Sequence, residues 1–228
     1  MLCLRLMLCT GWLLSVFAAA AVRADPMKTL TFIEVRSDAA ERCRSILRQY
    51  EAARRGHTAP VDALVLEGTA RPEKFALLEV DAGTDDAAGK EAARLLEPLT
   101  GLLTAPPDRR THREFGATAA PARVPERATA AAASLYVITH LDIAPPERAK
   151  GEAALLHLAE QARRSAGNLR FEVWQQADRA NHFNIIAAWR GRSEFDAFAA
   201  GSAAREFRKE VASLLGSPYD ERLYRRAD

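Results

Sequence analysis

An internal repeat constrains the fold of this chain more than any other feature of its sequence. Segments Val61–Asp81 and Leu169–Trp189 align without a gap, so that Phe75 falls on Phe183. Each segment has the apolar pattern of two strands joined by a polar turn. We therefore expect a fold in which one structural unit is built twice.

The two copies also share the elements that surround these paired strands. An opening strand is predicted over Leu30–Val35 in the first copy and over Leu135–Asp142 in the second. An amphipathic helix follows each, because apolar residues recur at three- and four-residue steps. The remaining predicted elements are a second helical region, Asp86–Leu96 or Ser193–Leu215, and a closing strand, Thr111–Phe115 or Glu221–Arg226.

The order strand, helix, strand, strand, helix, strand therefore occurs twice, which is typical of an α+β, ferredoxin-like βαββαβ unit. The strand Phe183–Trp189 carries no charge on either face, so the sheet face without helices must be buried. We predict two sheets packed face to face with helices outside. The units span residues 27–115 and 135–228, and an Ala- and Pro-rich linker joins them over 116–134.

Residues 1–24 have the pattern of a secretory signal peptide. Arg5 precedes an uncharged apolar run from Leu6 to Val22, and small residues lead up to a cleavage position after Ala24. An uncleaved anchor is the alternative, although the run is short for a spanning helix. We expect a secreted or periplasmic protein with no membrane association after cleavage.

Removal of this segment changes the net charge and the cysteine count of the mature chain, and both limit its possible functions. Without Arg5 and Arg23 the 32 basic residues fall to 30 and balance the 30 acidic ones, which argues against a nucleic-acid partner. Cys43 is then the remaining cysteine, which excludes an internal disulfide and a multi-cysteine metal site. The five histidines are scattered, so no metal site is predicted.

Three segments of the second repeat, Ala166–Gln175, His182–Trp189 and Ser193–Phe207, form a recognisable series. A Gly-Asn pair opens a strand, a second strand ends in Trp, and a helix with acidic, aromatic and small residues follows. In this series the chain resembles the antibiotic-biosynthesis monooxygenase family of the dimeric α+β barrel superfamily. The resemblance implies that the two units form one intramolecular dimeric α+β barrel.

The family resemblance also implies a range of activities. Some relatives oxidise phenols or quinols with molecular oxygen and use neither metal nor flavin, others degrade haem, and others have no known activity. No bound cofactor is therefore expected. In the cofactor-free relatives the protein binds the substrate in an apolar pocket between sheet and helices and helps to remove a proton.

The chain departs from the family pattern at the expected pocket. Ala187 stands where relatives often have Glu, and Phe198 where they often have His. The first repeat retains Glu79 at the position of Ala187 but has Asp81 in place of Trp189. Neither unit keeps the full set of polar groups.

The resemblance places the candidate site between the second sheet and its helices. Trp189 and His140 are the candidate catalytic residues, with His140 as the proton handler. Trp189 could instead fill an ordinary core, and His140 could be a satisfied histidine at a strand end. The candidate substrate-binding residues are Trp174, Phe198, Phe183 and Phe207.

Two functions follow from these residues. The first is an exported, cofactor-independent, monooxygenase-like protein that acts on a small aromatic such as a quinol or phenol. The second is a non-catalytic ligand-binding or scaffold protein that kept the fold and lost the polar groups. A small apolar or aromatic molecule is the expected partner in either case, and self-association stays open.

Overall fold

The computed structural model of the protein describes residues 27–55, 62–81, 93–94, 96–116 and 134–227. The predicted signal peptide, most of the predicted linker and most of the helical region Asp86–Leu96 lie outside these ranges. Within them, no helix is both long enough and apolar enough to cross a membrane.

The described part of the chain contains eight strands and four α-helices, together with short 3-10 helices at Ser37–Ala39, Glu97–Leu99 and Pro145–Glu147. The first unit contains β1 (Met27–Glu34), α1 (Ala40–Arg55), β2 (Asp62–Gly68), β3 (Lys74–Asp81) and β4 (Asp108–Phe115). The second contains β5 (Leu135–Asp142), α2 (Arg148–Arg163), β6 (Asn168–Gln176), β7 (His182–Trp189), α3 (Arg192–Ala200), α4 (Ser202–Val211) and β8 (Asp220–Arg226).

The helical region predicted over Ser193–Leu215 is interrupted at Gly201. This residue is extended, with φ of −68° and ψ of 163°, and serves as the end of α3 and the start of α4. A β-carbon at Gly201 would lie 3.0 Å from the carbonyl oxygen of Phe198, so the chain turns tightly there. The region therefore forms two short helices rather than one.

The eight strands close into one barrel in the order β1-β3-β2-β8-β5-β7-β6-β4. Every neighbouring pair is antiparallel. The two units meet at two seams, β2 with β8 and β4 with β6. The predicted α+β fold of two ferredoxin-like units in an intramolecular barrel is confirmed.

The strand register makes the two units structurally equivalent. Met27 pairs with Asp81 in the first unit, and Leu135 pairs with Trp189 in the second. Because all neighbours in the closed barrel are antiparallel, β1 and β5 run in the same direction. The pseudo-twofold axis therefore lies along the barrel, and the two ends of the barrel differ.

Strand alternation separates two kinds of core. The barrel interior is filled mainly by apolar and aromatic side chains, among them Leu30, Leu66, Tyr136, Trp174, Ile186 and Tyr224. The opposite strand faces pack against helices, with one cluster around Cys43, Leu47 and Tyr50 and another around Phe171, Trp189 and Phe195.

The seams between the units are chemically different. At the β4–β6 seam, the buried Lys28 ammonium lies 2.8 Å from Glu114 Oε2 and 2.7 Å from Glu172 Oε2. The positions equivalent to Lys28 and Glu172, near the β2–β8 seam, are Tyr136 and Leu64. The β4–β6 seam therefore has its lysine and carboxylates close together inside the barrel, whereas the ion pairs at the β2–β8 seam use more exposed arginines.

Candidate functional site

A small cavity lies between the second unit's sheet and its helices. Its volume is about 30 Å³, which is room for one or two water molecules. Apolar and aromatic side chains form most of its wall, and a few polar groups stand at one end. The wall includes Phe171, Ala187, Trp189, Phe195, Phe198 and Phe207, and the polar groups are Thr139, Arg208, Tyr219 and Glu221.

Aromatic rings enclose Trp189 at the end of β7. The centroid of its ring system is 5.0 Å from that of Phe198 and 6.1 Å from that of Phe195. Phe195 and Phe198 are three residues apart on α3, so they share a helix face. Phe171 of β6 closes the cage at 6.3 Å from Phe198.

The indole Nε1 of Trp189 is buried and has no hydrogen-bond partner among the described residues. A buried N–H without an acceptor costs on the order of 1–3 kcal/mol. The side chain itself is fully buried. A ligand oxygen that entered the cage could accept this hydrogen bond and remove that cost.

The polar end of the cavity is formed by β5, β8 and α4. The Tyr219 hydroxyl donates to Glu221 Oε2 at 3.1 Å. Burial, together with the nearby Glu221 carboxylate, raises the pKa of Tyr219, so its phenol stays protonated and can donate. Arg208 donates to the Ala199 carbonyl oxygen at 2.6 Å and lies at the same edge. This group was missed from sequence because only the folded barrel brings β8 beside β5.

The structure does not place His140 in this cavity. In the β5–β7 ladder Thr139 pairs with Ile185 and His140 pairs with Asn184. Ile185 shares the face of Trp189, so Thr139 points to the cavity and His140 points into the barrel. The proton handler predicted for the pocket therefore lies on the other side of the sheet.

Trp174 also lies on the barrel side, so the predicted wall of Trp189, Trp174 and His140 does not form. Its indole Nε1 donates to Glu172 Oε2 at 2.7 Å, and the Lys28 ammonium lies 5.1 Å from its ring centroid. The cause is strand alternation: Phe171 faces the helices, and Trp174 stands three residues further along the same strand.

The two other predicted substrate-binding residues differ in position. Phe207 of α4 lines the cavity, whereas Phe183 packs deeper in the same core, with its ring centroid 5.3 Å from that of Phe115. His112 of β4 is completely buried in the barrel. Its Nε2 lies 2.8 Å from Asn184 Nδ2, because β4 turns this residue inward.

In the first unit, a polar cluster occupies the equivalent place. The Tyr50 hydroxyl donates to Glu79 Oε1, and Arg54 Nε is 4.0 Å from the same oxygen. The equivalent residues in the second unit are Leu158, Ala187 and Ala162. The cavity of the second unit thus exists where large polar side chains of the first unit have been replaced by smaller or apolar ones.

The described residues contain no group of three or more His, Cys, Asp or Glu that could hold a metal ion. Cys43 is buried on α1, and burial raises the pKa of its thiol to about 12, so the reactive thiolate is not formed near neutral pH.

Comparison with known proteins bears on both fold and family. Residues 134–210 match the family model for antibiotic biosynthesis monooxygenase. No curated protein matches the sequence significantly. The family match covers the cavity elements from β5 to α4, and it confirms the resemblance found in the second repeat.

Solved structures match nearly the whole chain. A candidate monooxygenase from Fusobacterium nucleatum superposes with a TM-score of 0.70 at 10% identity, covering 90% of this chain and 94% of its own. A candidate monooxygenase from Lactobacillus acidophilus gives 0.64 at 10% identity, covering 90% and 95%. An anthrone oxidase-like protein gives 0.66 at 10% identity, covering 89% and 91%. At this identity the likeness establishes the two-unit barrel fold.

Proposed function

We propose that the protein is a monooxygenase-like enzyme that binds a small phenol or quinol in the Trp189 cavity and oxidises it with molecular oxygen. The observation that carries this proposal is the unpaired indole N–H of Trp189 inside an aromatic cage. Aromatic walls suit a planar apolar ring, and the N–H supplies one directed contact for an oxygen on that ring. The family match over the same residues supports this reading.

The polar end of the cavity supplies a route for the substrate proton. The Glu221 carboxylate is exposed and accepts a hydrogen bond from Tyr219, so Tyr219 can pass a proton outward to it. Loss of the phenolic proton yields a phenolate, which can give an electron to O₂ directly. The protein's part is to bind the ring, move this proton and exclude water.

Entry of a substrate requires the cavity to enlarge, since its volume of about 30 Å³ is far smaller than a ligand pocket. Phe198 is the wall residue suited to move because it is only partly buried and lies just before the extended Gly201. In the proposed complex the substrate ring takes the place of the Phe198 ring against Trp189.

Oxygen uptake by the purified mature protein tests this proposal. Reduced naphthoquinones and simple phenols serve as probes, and uptake above that of buffer is expected. Glu221→Gln should slow uptake, and Trp189→Phe should weaken binding because it keeps the ring and removes the N–H. Glu206→Gln, an exposed carboxylate on α4, is the matched control and should leave the rate unchanged. No uptake with any probe would overturn the oxygenase proposal.

A specific observation favours a second candidate function, a binding protein without catalysis. Ala187 and Phe198 make the centre of the cavity apolar, so the proton-handling groups stand only at its edge. Saturable binding of a phenol measured by calorimetry, weakened in Trp189→Phe and accompanied by no oxygen uptake, would establish this alternative.

Export is part of the proposed biology. The proposal rests on the sequence of residues 1–24. N-terminal sequencing of the protein recovered from its host should give a chain that begins at Asp25, whereas a chain that still begins at Met1 would contradict cleavage.

A further inference from the structure

A second cavity opens at the end of the barrel where β1 and β5 finish and β4 and β8 begin. Its volume is about 240 Å³, and both units contribute to it, so it is distinct from the Trp189 cavity. The residues that matter here are Phe32, Asp108, Arg110, His140, Asp220 and Arg222. We call it the mouth cavity.

Two Asp–Arg pairs stand at equivalent positions in this cavity. Arg110 lies beside Leu30 on β1, and Arg222 lies beside the equivalent Ile138 on β5. Each arginine donates hydrogen bonds to the aspartate two residues before it, and the Nε–Oδ1 distance is 3.0 Å in both pairs. These contacts use the Nε and Nη2 donors and fix the direction of each guanidinium.

The two guanidiniums converge on one aromatic ring. The central carbon of Arg110 lies 5.8 Å from the ring centroid of Phe32, and that of Arg222 lies 5.1 Å from it. His140 occupies the position equivalent to Phe32, and its Nδ1 is 3.3 Å from Arg110 Nη1. A guanidinium as neighbour means that this nitrogen acts as an acceptor, so His140 is neutral in the resting site.

Charges in the mouth cavity balance. Each arginine has its aspartate, and the remaining pair is Lys74 with Glu34 at 3.2 Å. A dianion would therefore enter a site with no excess positive charge. A monoanion fits if the site gains one proton, and His140 is the neutral group placed to take it.

We propose that the mouth cavity binds a small monocarboxylate with an apolar body. The carboxylate would lie at the Nη1 edges of Arg110 and Arg222, which the aspartates do not use, since a guanidinium has five donors in a planar fork. Arg110 Nη1 contacts His140 Nδ1 in the ligand-free protein, and that contact is given up when Nδ1 takes the proton. The apolar body would lie against Phe32, Phe75 and Tyr224, which line the same cavity. A volume of about 240 Å³ suits a ligand smaller than a drug-sized molecule.

Uptake of this ligand is coupled to a proton. Burial, Arg110 and His182 lower the pKa of His140 in the ligand-free protein. A carboxylate beside Arg110 offsets that positive field, so ligand binding raises the pKa of His140 and tightens as the pH falls from 8 to 6. The charged and titratable groups that face His140 from the neighbouring strands are Asp108, Arg110 and His112 on β4, Asp220 and Arg222 on β8, and His182 on β7.

Calorimetric titration of the full chain with benzoate at pH 6 and pH 8 tests this proposal. Tighter binding at pH 6 is expected. Arg222→Gln should weaken binding about tenfold, the size expected for loss of one charge-assisted contact at a partly exposed site. His140→Phe copies the residue that the first unit uses at this position, and it should abolish the difference between the two pH values.

Arg192→Gln is the matched control, because it makes the same chemical change at an exposed arginine of α3 that lines neither cavity. It should leave benzoate binding unchanged. The proposal is overturned if benzoate fails to bind the parent protein at either pH, if Arg222→Gln leaves binding unchanged, or if Arg192→Gln weakens binding as much as Arg222→Gln does. Arg222 has 43% of its side chain exposed, so its substitution leaves the core intact. Oxygen uptake plays no part in this readout, so its outcome is independent of the proposed oxidation.

Discussion

Phe198 lies against Trp189 with a centroid separation of 5.0 Å and an angle of 32° between the ring planes. The two residues come from different elements, the end of β7 and the last turn of α3, and Phe198 fills the space beside the indole that a bound ring would need.

Phe198→Ala should cost little stability and should open the cavity. Phe198 is partly exposed, so we expect a loss of about 1 kcal/mol, whereas Phe195→Ala should cost about 3 kcal/mol because Phe195 is buried. Urea unfolding measures both values. Phe198→Ala should also bind small aromatic probes more tightly than the parent protein. Equal losses of stability for the two variants would contradict a displaceable role for Phe198.

Ala187→Glu should destabilise the second unit, although Glu79 is tolerated at the same position in the first. Glu79 has Tyr50 beside it, whereas a carboxylate at 187 would meet Leu158. Burial without a partner raises the folded pKa of such a carboxyl above its unfolded value. The variant should therefore lose stability as the pH rises above about 4.3, the unfolded pKa of Glu, while Ala187→Gln shows no such slope. Adding Leu158→Tyr should recover part of the loss.

His112 should make the protein less stable in acid. Burial is the main cause that lowers the pKa of His112 to about 4, and Arg110 adds to it. The unfolded chain binds a proton near pH 6.5 and the folded chain does not, so stability is full above pH 6.5 and falls as the pH drops toward 4. The loss should approach about 3 kcal/mol. Urea unfolding at pH 7 and pH 4.5 measures it.

His112→Gln removes this titration and retains a group that can hydrogen-bond Asn184. Its unfolding free energy should depend less on pH than that of the parent protein. His157→Gln, at an exposed position on α2, is the control and should keep the parent slope. An unchanged slope in His112→Gln would show that other groups cause the acid sensitivity.

Lys28→Met should be among the most destabilising substitutions in the barrel. Lys28 has 2% of its side chain exposed and contacts both Glu114 and Glu172. Burial alone would raise the pKa of Glu172, but Arg170 and Lys28 outweigh burial and hold it well below its ordinary value. Loss of the cation should cost about 3 kcal/mol, since it leaves buried carboxylates undercompensated.

Two further variants locate the cause of that loss. The double variant Lys28→Met with Glu172→Gln should recover part of the stability, because it removes one of the stranded charges. Lys150→Met changes an exposed lysine and should have an effect below about 0.5 kcal/mol. Thermal or urea unfolding of the three variants measures these differences. If the double variant is no more stable than Lys28→Met, uncompensated carboxylates are not the cause of the loss.

The fold could be predicted from the sequence because the repeated unit and the alternation of apolar residues along each strand are both visible in the amino-acid sequence itself. Gapless alignment of Val61–Asp81 with Leu169–Trp189 anticipates the paired register of the strands. The apolar strand faces predict that both sides of each sheet are buried, and the closed barrel was implied by the family resemblance. The side of the sheet on which His140 lies could not be predicted in this way. Whether Thr139 or His140 faces the helices depends on how β5 pairs with β7, and no residue in β5 encodes that pairing by itself.

Contacts between distant strands account for the other residues that were missed. Tyr219 and Glu221 join the cavity because β8 pairs with β5. His112 is buried because β4 and β7, the strand of Asn184, flank β6, and both side chains turn into the barrel. Both arrangements depend on barrel closure. Local patterns in β4 and β8, which are rich in charged residues, favour exposed strands instead.

Unlike seams make the two halves of this chain non-interchangeable. In a homodimer of either half, every residue near the axis would occur twice and both seams would be identical, so a lysine placed like Lys28 would need carboxylates on both sides. The fused chain places Lys28 at one seam and Tyr136 at the equivalent position. In the fused chain a mutation changes one unit only, whereas in a homodimer it would change both. One unit can therefore keep a polar cluster around Glu79 while the other has a cavity beside Trp189.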